Sequence, residues 1–407
     1  MTRHVRIADL RGASRLVVDA TLGLASLVET MHHNILRTPG ILGKATQQPA
    51  SGITGFVYKT VRGVTRLVGS GIDALLDRLV PLFDAGVSSQ EREAVLAALN
   101  GVLGDHLQAG ANPLAISMRL RRGGQALDFN RAALATAIPA ATGKVLLLVH
   151  GLCMNDLQWQ RRGHDHGAAL AADAGFTPVY LHYNTGLHVS SNGRAFAAQI
   201  EALLQAWPVR VDELAILAHS MGGLVARSAC HYGELAQHCW LRHLGKLVFL
   251  GTPHLGAVLE RGGNWVDLLL DASPYTTAFA RLGKIRSAGI TDLRHGNVID
   301  EDWEGRDRFA NSRRQLRTVP LPAHVKCYAI AASIAKRRGK LGERLLGDGL
   351  VSIASALGED PRGRKNLALP KRRQWIGYGT NHMDLLDRSE VYARISRWFS
   401  ESQRQAT

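Results

Sequence analysis

The stretch LAILAHSMGGL, residues 214–224, decides the fold that the rest of the chain must have. An apolar run typical of a buried strand is followed at once by helix-forming residues that begin at Met221. A serine at such a turn, here Ser220, projects its hydroxyl above the sheet, where the first N–H groups of the helix can stabilise an oxyanion. The strained turn needs small residues two places before and after the serine, and Ala218 and Gly222 occupy those places. The sequence therefore predicts a nucleophile at Ser220.

A second apolar run, VLLLVHG at residues 145–151, directly precedes Leu152. If Ser220 is the nucleophile, the backbone N–H groups of Leu152 and Met221 are expected to form the oxyanion hole, because both would point at the tetrahedral intermediate. The alternative is that VLLLVHG only ends a strand of the core.

Short apolar runs alternate with helical segments from about residue 112 onward, which indicates an α/β fold with a mostly parallel sheet and flanking helices. The predicted strands are PLAISMRL, QALDF, VLLLVHG, TPVYLHY, ELAILAH, KLVFLG and VKCYAIAA. Helices are predicted at 193–206 and 221–232, and a final helix from about Met383 to Phe399.

The chain divides into two predicted regions, an N-terminal helical region at 1–110 and a catalytic domain at 111–407. Apolar residues recur at steps of three and four over 53–83, as in an amphipathic helix, and a second helix is predicted at about 89–107. The helix-prone stretch at about 255–322 interrupts the strand rhythm at the carboxyl edge of the sheet, where ligands bind in open α/β folds. We interpret this stretch as a cap or lid.

Three motifs, HGL at 150–152, AHSMGG at 218–223 and LGTPHLG at 250–256, resemble those of the lipase and esterase branch of the α/β-hydrolases. AHSMG is similar to the turn of small bacterial lipases. GTPHLG is similar to triacylglycerol lipases and to lipases related to GPI-inositol deacylases. The resemblance covers roughly residues 112–400 and implies an α/β-hydrolase fold over that part of the chain.

The resemblance also implies a catalytic triad, which in this fold follows the chain order serine, acid, histidine. Asp348, in GDGLVS, then stands at the position of the acid, and His382 stands at that of the base, in the loop before the last helix. Asp348 could instead be an ordinary turn residue, and His382 a surface histidine that caps a helix. His219 is expected to support the turn. The competing acids are Asp292, Asp300 and Asp360.

The formal net charge of the 407-residue chain is +15, and most of the excess lies after residue 105. Such a charge favours contact with an anionic surface, either nucleic acid or acidic lipid. No nucleic-acid-binding signature accompanies the basic clusters, so nucleic acid is not expected as a partner. Peripheral contact with an anionic membrane stays open beside a simple solvated basic face.

The four cysteines lack the spacing of a disulfide framework or a metal site, and a reducing compartment fits them. Charged residues interrupt any apolar signal region near the N-terminus, and no run of about 18 apolar residues occurs. We therefore expect a cytoplasmic protein, attached to a membrane at most peripherally. The sequence implies no cofactor and no metal.

The motifs, the cap and the basic surface together favour hydrolysis of a carboxylic ester of a hydrophobic acid, such as a lipid, through an acyl-enzyme intermediate. An acyltransferase or a thioesterase would use the same triad, so both stay open. A non-catalytic, membrane-associated scaffold that keeps the fold is the alternative from another class. The sequence predicts neither the acyl-chain length nor the oligomeric state.

Overall fold

A computed structural model describes residues 89–257, 287–306, 319–336, 347–360 and 366–401. The strands are β1 (Arg119–Arg122), β2 (Gln125–Ala126), β3 (Lys144–Val149), β4 (Thr177–His182), β5 (Glu213–His219), β6 (Leu244–Leu250), β7 (Lys326–Ser333) and β8 (Gln374–Tyr378). The α-helices are α1 (Ser89–Ala109), α2 (Arg131–Ala137), α3 (His166–Ala174), α4 (Val189–Gln205), α5 (Met221–Leu235), α6 (Ala288–His295), α7 (Ile353–Ala356) and α8 (Ser389–Ser400). Short 3₁₀ helices lie at Asp156–Trp159, Cys239–His243, Asp300–Asp302, Lys371–Arg373 and Met383–Leu386.

The eight strands form one sheet in the order β2-β1-β4-β3-β5-β6-β7-β8. Strands β3 to β8 run parallel, whereas β1 pairs in antiparallel fashion with both β2 and β4. This is the α/β-hydrolase fold that the motifs predict. It leaves β2 and β8 at the two edges of the sheet.

Alternate residues of the central strands point to opposite faces of the sheet and so build two cores. In β5, the side chains of Leu214, Ile216 and Ala218 lie in the core that α1, α4 and α5 cover. The intervening Ala215 and Leu217 lie in the core that α3 and α8 cover. All five are fully buried. Because helices cover both faces, the central strands are continuously apolar, which is why their sequence predicts them well.

The five predicted strands from VLLLVHG to VKCYAIAA match β3 to β7 to within two residues at each end. The leading pair is shorter than predicted, since β1 begins at Arg119 and β2 contains only two residues. The sequence did not predict β8, a five-residue strand that follows a basic 3₁₀ turn.

The final helix, α8, begins at Ser389 and not near Met383, so its predicted start is wrong. Asn381 Oδ1 accepts a hydrogen bond from the N–H of Asp384 at 2.8 Å, and Asp384 Oδ2 accepts one from the N–H of Asn381 at 3.1 Å. These bonds close a separate 3₁₀ turn at Met383–Leu386, and Asp387, with φ −139°, leaves the helical region after it. The loop that carries His382 therefore has its own short helical turn.

Helix α1 packs against the loop that follows β3. A Cβ added at Gly101 would lie 2.2 Å from Cys153 Sγ, and one added at Gly104 would lie 1.9 Å from Asn184 Oδ1. Ser287 Oγ donates a hydrogen bond of 2.7 Å to the carbonyl of Gly101. The two glycines let α1 approach the loops after β3 and β4 more closely than any other residue type would permit.

Several expectations concern residues outside those that the structure describes. The amphipathic stretch at 53–83 lies entirely outside them, and the cap at about 255–322 is described only over 255–257, 287–306 and 319–322. The division of the chain at residue 110 stays a prediction. Within the described ranges, no helix is both long enough and apolar enough to cross a bilayer.

The close packing of α1 predicts that Gly101→Ala lowers the free energy of unfolding by about 1–3 kcal/mol. The loss is expected although alanine is the better helix former by about 1 kcal/mol, because the added methyl overlaps Cys153 Sγ. Urea denaturation measures the difference. Gln108→Ala, on the exposed side of the same helix, is the control and should change stability by less than about 0.5 kcal/mol. Equal stability of Gly101→Ala and the native protein would contradict this packing.

Candidate active site

Ser220 lies in the sharp turn between β5 and α5, with φ 54° and ψ −126°. Non-glycine residues rarely adopt this conformation, which costs of the order of 1–3 kcal/mol and persists only where the surroundings impose it. Its N–H donates a hydrogen bond of 2.8 Å to the carbonyl of Leu250, at the end of β6. The residue is 5% exposed. The fold thus holds this hydroxyl at the carboxyl edge of the sheet.

The chain around Ser220 is packed so closely that a side chain would be crowded at three nearby glycines. A Cβ at Gly222 would lie 2.4 Å from the carbonyl oxygen of Val149, and one at Gly223 would lie 1.9 Å from Thr252 Oγ1. A Cβ at Gly151 would lie 3.0 Å from Ser220 Cβ. The start of α5 therefore lies directly against the end of β3, and larger side chains would push the two apart.

The backbone N–H groups of Leu152 and Met221 are the oxyanion donors expected from the sequence. Leu152 follows the end of β3, and Met221 is the first residue of α5. Neither N–H donates to an acceptor among the described residues. The next residue, Cys153, has φ 58°, and its own N–H donates to Thr185 Oγ1 at 3.1 Å, which fixes the loop. Both predicted oxyanion donors are thus unoccupied and close to the helix N-terminus, where negative charge is stabilised.

Asp348 and His382 form a buried hydrogen-bonded pair. His382 Nδ1 lies 2.6 Å from Asp348 Oδ2, and their side chains are 2% and 0% exposed. Asp348 Oδ1 accepts hydrogen bonds from the N–H groups of Leu350 at 2.9 Å and Val351 at 2.8 Å, which orient the carboxylate. The Nδ1–H of the imidazole is therefore held by the carboxylate, and the lone pair of the neutral ring lies on Nε2.

His382 lies beside the turn that carries Ser220. The ring centroids of His219 and His382 lie 4.7 Å apart. His219 Nε2 donates a hydrogen bond of 3.2 Å to the carbonyl of His382. A Cβ at Gly251, the residue after β6, would lie 3.0 Å from His382 Cε1. His382 Nε2 is buried and makes no hydrogen bond to Ser220 or to any other described residue.

The other three candidate acids have partners other than His382. Asp292 is hydrogen-bonded to His188, Asp300 pairs with Arg194, and the N–H of Asp360 donates to Asn366 Oδ1 at 2.6 Å. Among the carboxylates that the structure describes, that of Asp348 is the one bonded to His382. The described ranges contain no group of three or more His, Cys, Asp or Glu side chains placed to hold a metal ion.

His219 is buried and electrically neutral. Burial lowers the pKa of His219 well below its usual value, and the neighbouring His382 lowers it further. Its Nδ1 has no hydrogen-bond partner in the described part of the chain. The hydrogen bond from His219 to the backbone of His382 links the turn of Ser220 to the loop of His382. This agrees with the supporting role expected for His219 from the sequence.

The loop of His382 is also held by a segment that the sequence analysis did not single out, RRGHDH at 161–166. His166 Nε2 donates to the carbonyl of Leu385 at 2.9 Å, and His164 Nε2 lies 2.8 Å from His166 Nδ1. Arg161 Nε lies 3.2 Å from Asp387 Oδ2. The dense basic and histidine content of this hexapeptide is the only sequence signal that could have drawn attention to it.

A protein-family model described as a domain of unknown function, DUF7379, matches residues 120–296. That range contains Leu152 and Ser220, whereas Asp348 and His382 lie beyond it. No curated protein is significantly similar to the chain in sequence.

Several solved structures are similar to this chain at low sequence identity. A mature lipase of Bacillus licheniformis is 15% identical with a TM-score of 0.39, over 70% of this chain and 98% of the lipase. Lipase B of Aspergillus fumigatus is 13% identical with a TM-score of 0.39, over 69% of this chain and 55% of the lipase. An esterase of Pyrococcus furiosus is 12% identical with a TM-score of 0.38, over 65% of this chain and 83% of the esterase.

The buried histidines predict that the protein loses stability as the pH falls below about 6.5. Burial lowers the pKa of His150 to about 3 and that of His166 to about 4. Between these values and the unfolded value near 6.5, the unfolded chain binds more protons, so the free energy of unfolding decreases as the pH falls. Chemical denaturation at a series of pH values measures this slope.

His166→Gln provides the matched variant, because its amide can still donate to the carbonyl of Leu385 but does not titrate. The free energy of unfolding of this variant should change less steeply with pH than that of the native protein. The difference in slope should be at most about 1.4 kcal/mol per pH unit. A free energy of unfolding that stays constant from pH 7 to pH 4 in the native protein would contradict the burial of neutral histidines.

Proposed function

We propose that this chain is a serine hydrolase that cleaves carboxylic esters through an acyl-enzyme intermediate. Ser220 is the nucleophile, His382 the general base and Asp348 the acid that orients it. The observation that carries the proposal is the buried Asp348–His382 hydrogen bond of 2.6 Å, which leaves Nε2 of the base without a partner among the described residues and beside a strained serine. A histidine whose tautomer is fixed by a carboxylate is the base that an unactivated hydroxyl requires.

In the first step, His382 Nε2 takes the proton of Ser220 Oγ while the oxygen attacks the carbonyl carbon of the ester. Asp348 holds Nδ1–H and stabilises the imidazolium that forms. The base then gives its proton to the leaving alcohol, and an acyl group remains on Ser220. A water molecule, deprotonated by the same imidazole, hydrolyses the acyl-enzyme.

The negative charge of each tetrahedral intermediate would be bound by the N–H groups of Leu152 and Met221. One donor of this kind contributes about 3 kcal/mol of transition-state stabilisation. Because both groups are backbone amides fixed by the β3 loop and by the start of α5, they need no rearrangement as the charge develops. The N-terminal end of α5 adds the favourable field of its dipole.

We further propose that the acyl group is hydrophobic, as in a lipid. Two arguments support this choice: the lipase-like motifs at 150–152, 218–223 and 250–256, and the helix-prone stretch at about 255–322, which follows β6 at the same edge as Ser220. A cap formed by that stretch would cover the acyl group and exclude water during acyl transfer.

Ser220→Ala is expected to abolish labelling by a fluorophosphonate probe and to lower the rate of p-nitrophenyl ester hydrolysis by more than about 10⁴-fold, because the proposed acyl-enzyme forms on the Ser220 hydroxyl. Ser228→Ala is the matched control: this serine lies in α5, the helix that follows Ser220, is also buried, and its hydroxyl has no hydrogen-bond partner in the described ranges. It should keep both activities. A native protein that the probe does not label would favour the scaffold alternative.

The same assay, run on the native protein with p-nitrophenyl esters of increasing acyl length, tests the substrate class. A preference for long chains is expected. A clear preference for acetate would contradict the lipid proposal and leave the serine hydrolase intact.

Asp348→Asn should lower kcat by about 10⁴-fold while KM changes little, because an asparagine favours the wrong imidazole tautomer and cannot stabilise the imidazolium. Steady-state kinetics on a soluble ester measures both constants. Asp360→Asn, a change of the same chemistry at an acid in the same region of the sequence, should have no effect. Similar losses in both variants would mean that Asp348 is not the orienting acid.

A further inference from the structure

A second carboxylate–imidazole pair lies away from Ser220, between the start of α4 and helix α6. His188 Nδ1 lies 2.9 Å from Asp292 Oδ2, and the Asp292 side chain is fully buried. The carboxylate also accepts hydrogen bonds from the N–H of Val189 at 2.8 Å and from Asn297 Nδ2 at 2.7 Å. Asp292 therefore accepts the hydrogen bond from Nδ1–H of His188, and in the tautomer that this bond selects the lone pair lies on Nε2.

The imidazole of His188 is further immobilised by Trp303. The two rings stack with centroids 3.7 Å apart and an angle of 8° between their planes. Trp303 Nε1 in turn donates to Ser190 Oγ at 3.0 Å. One face of the imidazole and one of its nitrogens are thus occupied. Nε2 bonds to no described residue and is not among the buried polar atoms, so this acceptor is accessible.

His188 forms part of the wall of a cavity of about 610 Å³. Much of the wall is apolar, from Ile116, Met118, Leu187, Ala195 and Ala288. Asn184 also lies in the wall, next to Thr185, whose hydroxyl accepts from the N–H of Cys153. The cavity wall therefore lies next to the residue that holds the loop after β3, and it contains none of Ser220, Asp348 and His382.

The polar groups of the cavity wall define the ligand that it can hold. Asp105 also lies in the wall, where its Oδ2 accepts a hydrogen bond of 3.0 Å from the N–H of Ala288. An imidazole acceptor requires a ligand that donates a hydrogen bond, and the apolar wall requires a hydrocarbon part. We propose that this cavity is a binding site for a neutral amphipathic alcohol, whose hydroxyl donates to His188 Nε2 and whose alkyl chain contacts Ile116, Met118 and Leu187.

The test uses the full chain with hexan-1-ol as the probe, at mildly alkaline pH, with ligand-observed NMR as the measure of binding. Saturable binding of hexan-1-ol is expected. Its methyl ether, which cannot donate a hydrogen bond, should bind about tenfold more weakly, and hexanoate should bind more weakly than the alcohol. The same measurements on Ser220→Ala should give the same affinities, so that the result does not depend on the proposed catalysis.

Two substitutions on α4 localise the site. Ala195→Leu places a larger side chain in the cavity and should abolish saturable binding, whereas Ala198→Leu, an exposed position on the same helix outside the cavity wall, should leave it unchanged. His188→Gln should weaken binding of the alcohol to the level of the ether. Absence of saturable binding, equal binding of alcohol and ether, tighter binding of hexanoate, or equal effects of the two leucines would each overturn the proposal.

Discussion

The close backbone contact between the start of α5 and the end of β3 is the constraint on which the rest of the site depends. Gly222 lies where any side chain would meet the carbonyl of Val149, and Gly223 lies where one would meet Thr252. With those contacts in place, Ser220 is held at a φ of 54°, and Met221 follows it directly as the first residue of α5. The same contact buries the apolar face of α5 in the core. The conformation of Ser220, the proposed oxyanion donor at Met221 and the packing of the core therefore share one structural cause.

The central part of the fold could be predicted because its signals are local. Strands β3 to β7 are continuous apolar runs buried on both sides, and the turn at Ser220 needs a short pattern of small residues. The pairing of Asp348 with His382 was expected only from chain order, since 34 residues separate them. The end strand β8 escaped prediction because four of its five residues are only partly buried and the strand follows a basic turn.

The features that the sequence did not reveal are long-range contacts. The position of α1 against Cys153 depends on two glycines whose role appears only when the loop after β3 is placed opposite them. The His188–Asp292 pair joins residues 104 positions apart, and His166 reaches Leu385 over 219 positions. No periodic pattern marks such pairs, because each is made by the packing of distant elements. The DUF7379 match, which ends at residue 296, likewise covers Ser220 without His382.

The position of β8 at the edge of the sheet has a consequence for how this protein would fail on heating. Ser220 is carried by a central strand, whereas His382 follows a short edge strand that pairs with β7 on one side only. Edge elements with few neighbours open at a lower free energy than the centre of a sheet. Fraying of β8 would carry the imidazole away while the remaining strands stayed paired, so catalytic competence would disappear at temperatures where spectroscopy still reports a folded molecule, and would return on cooling.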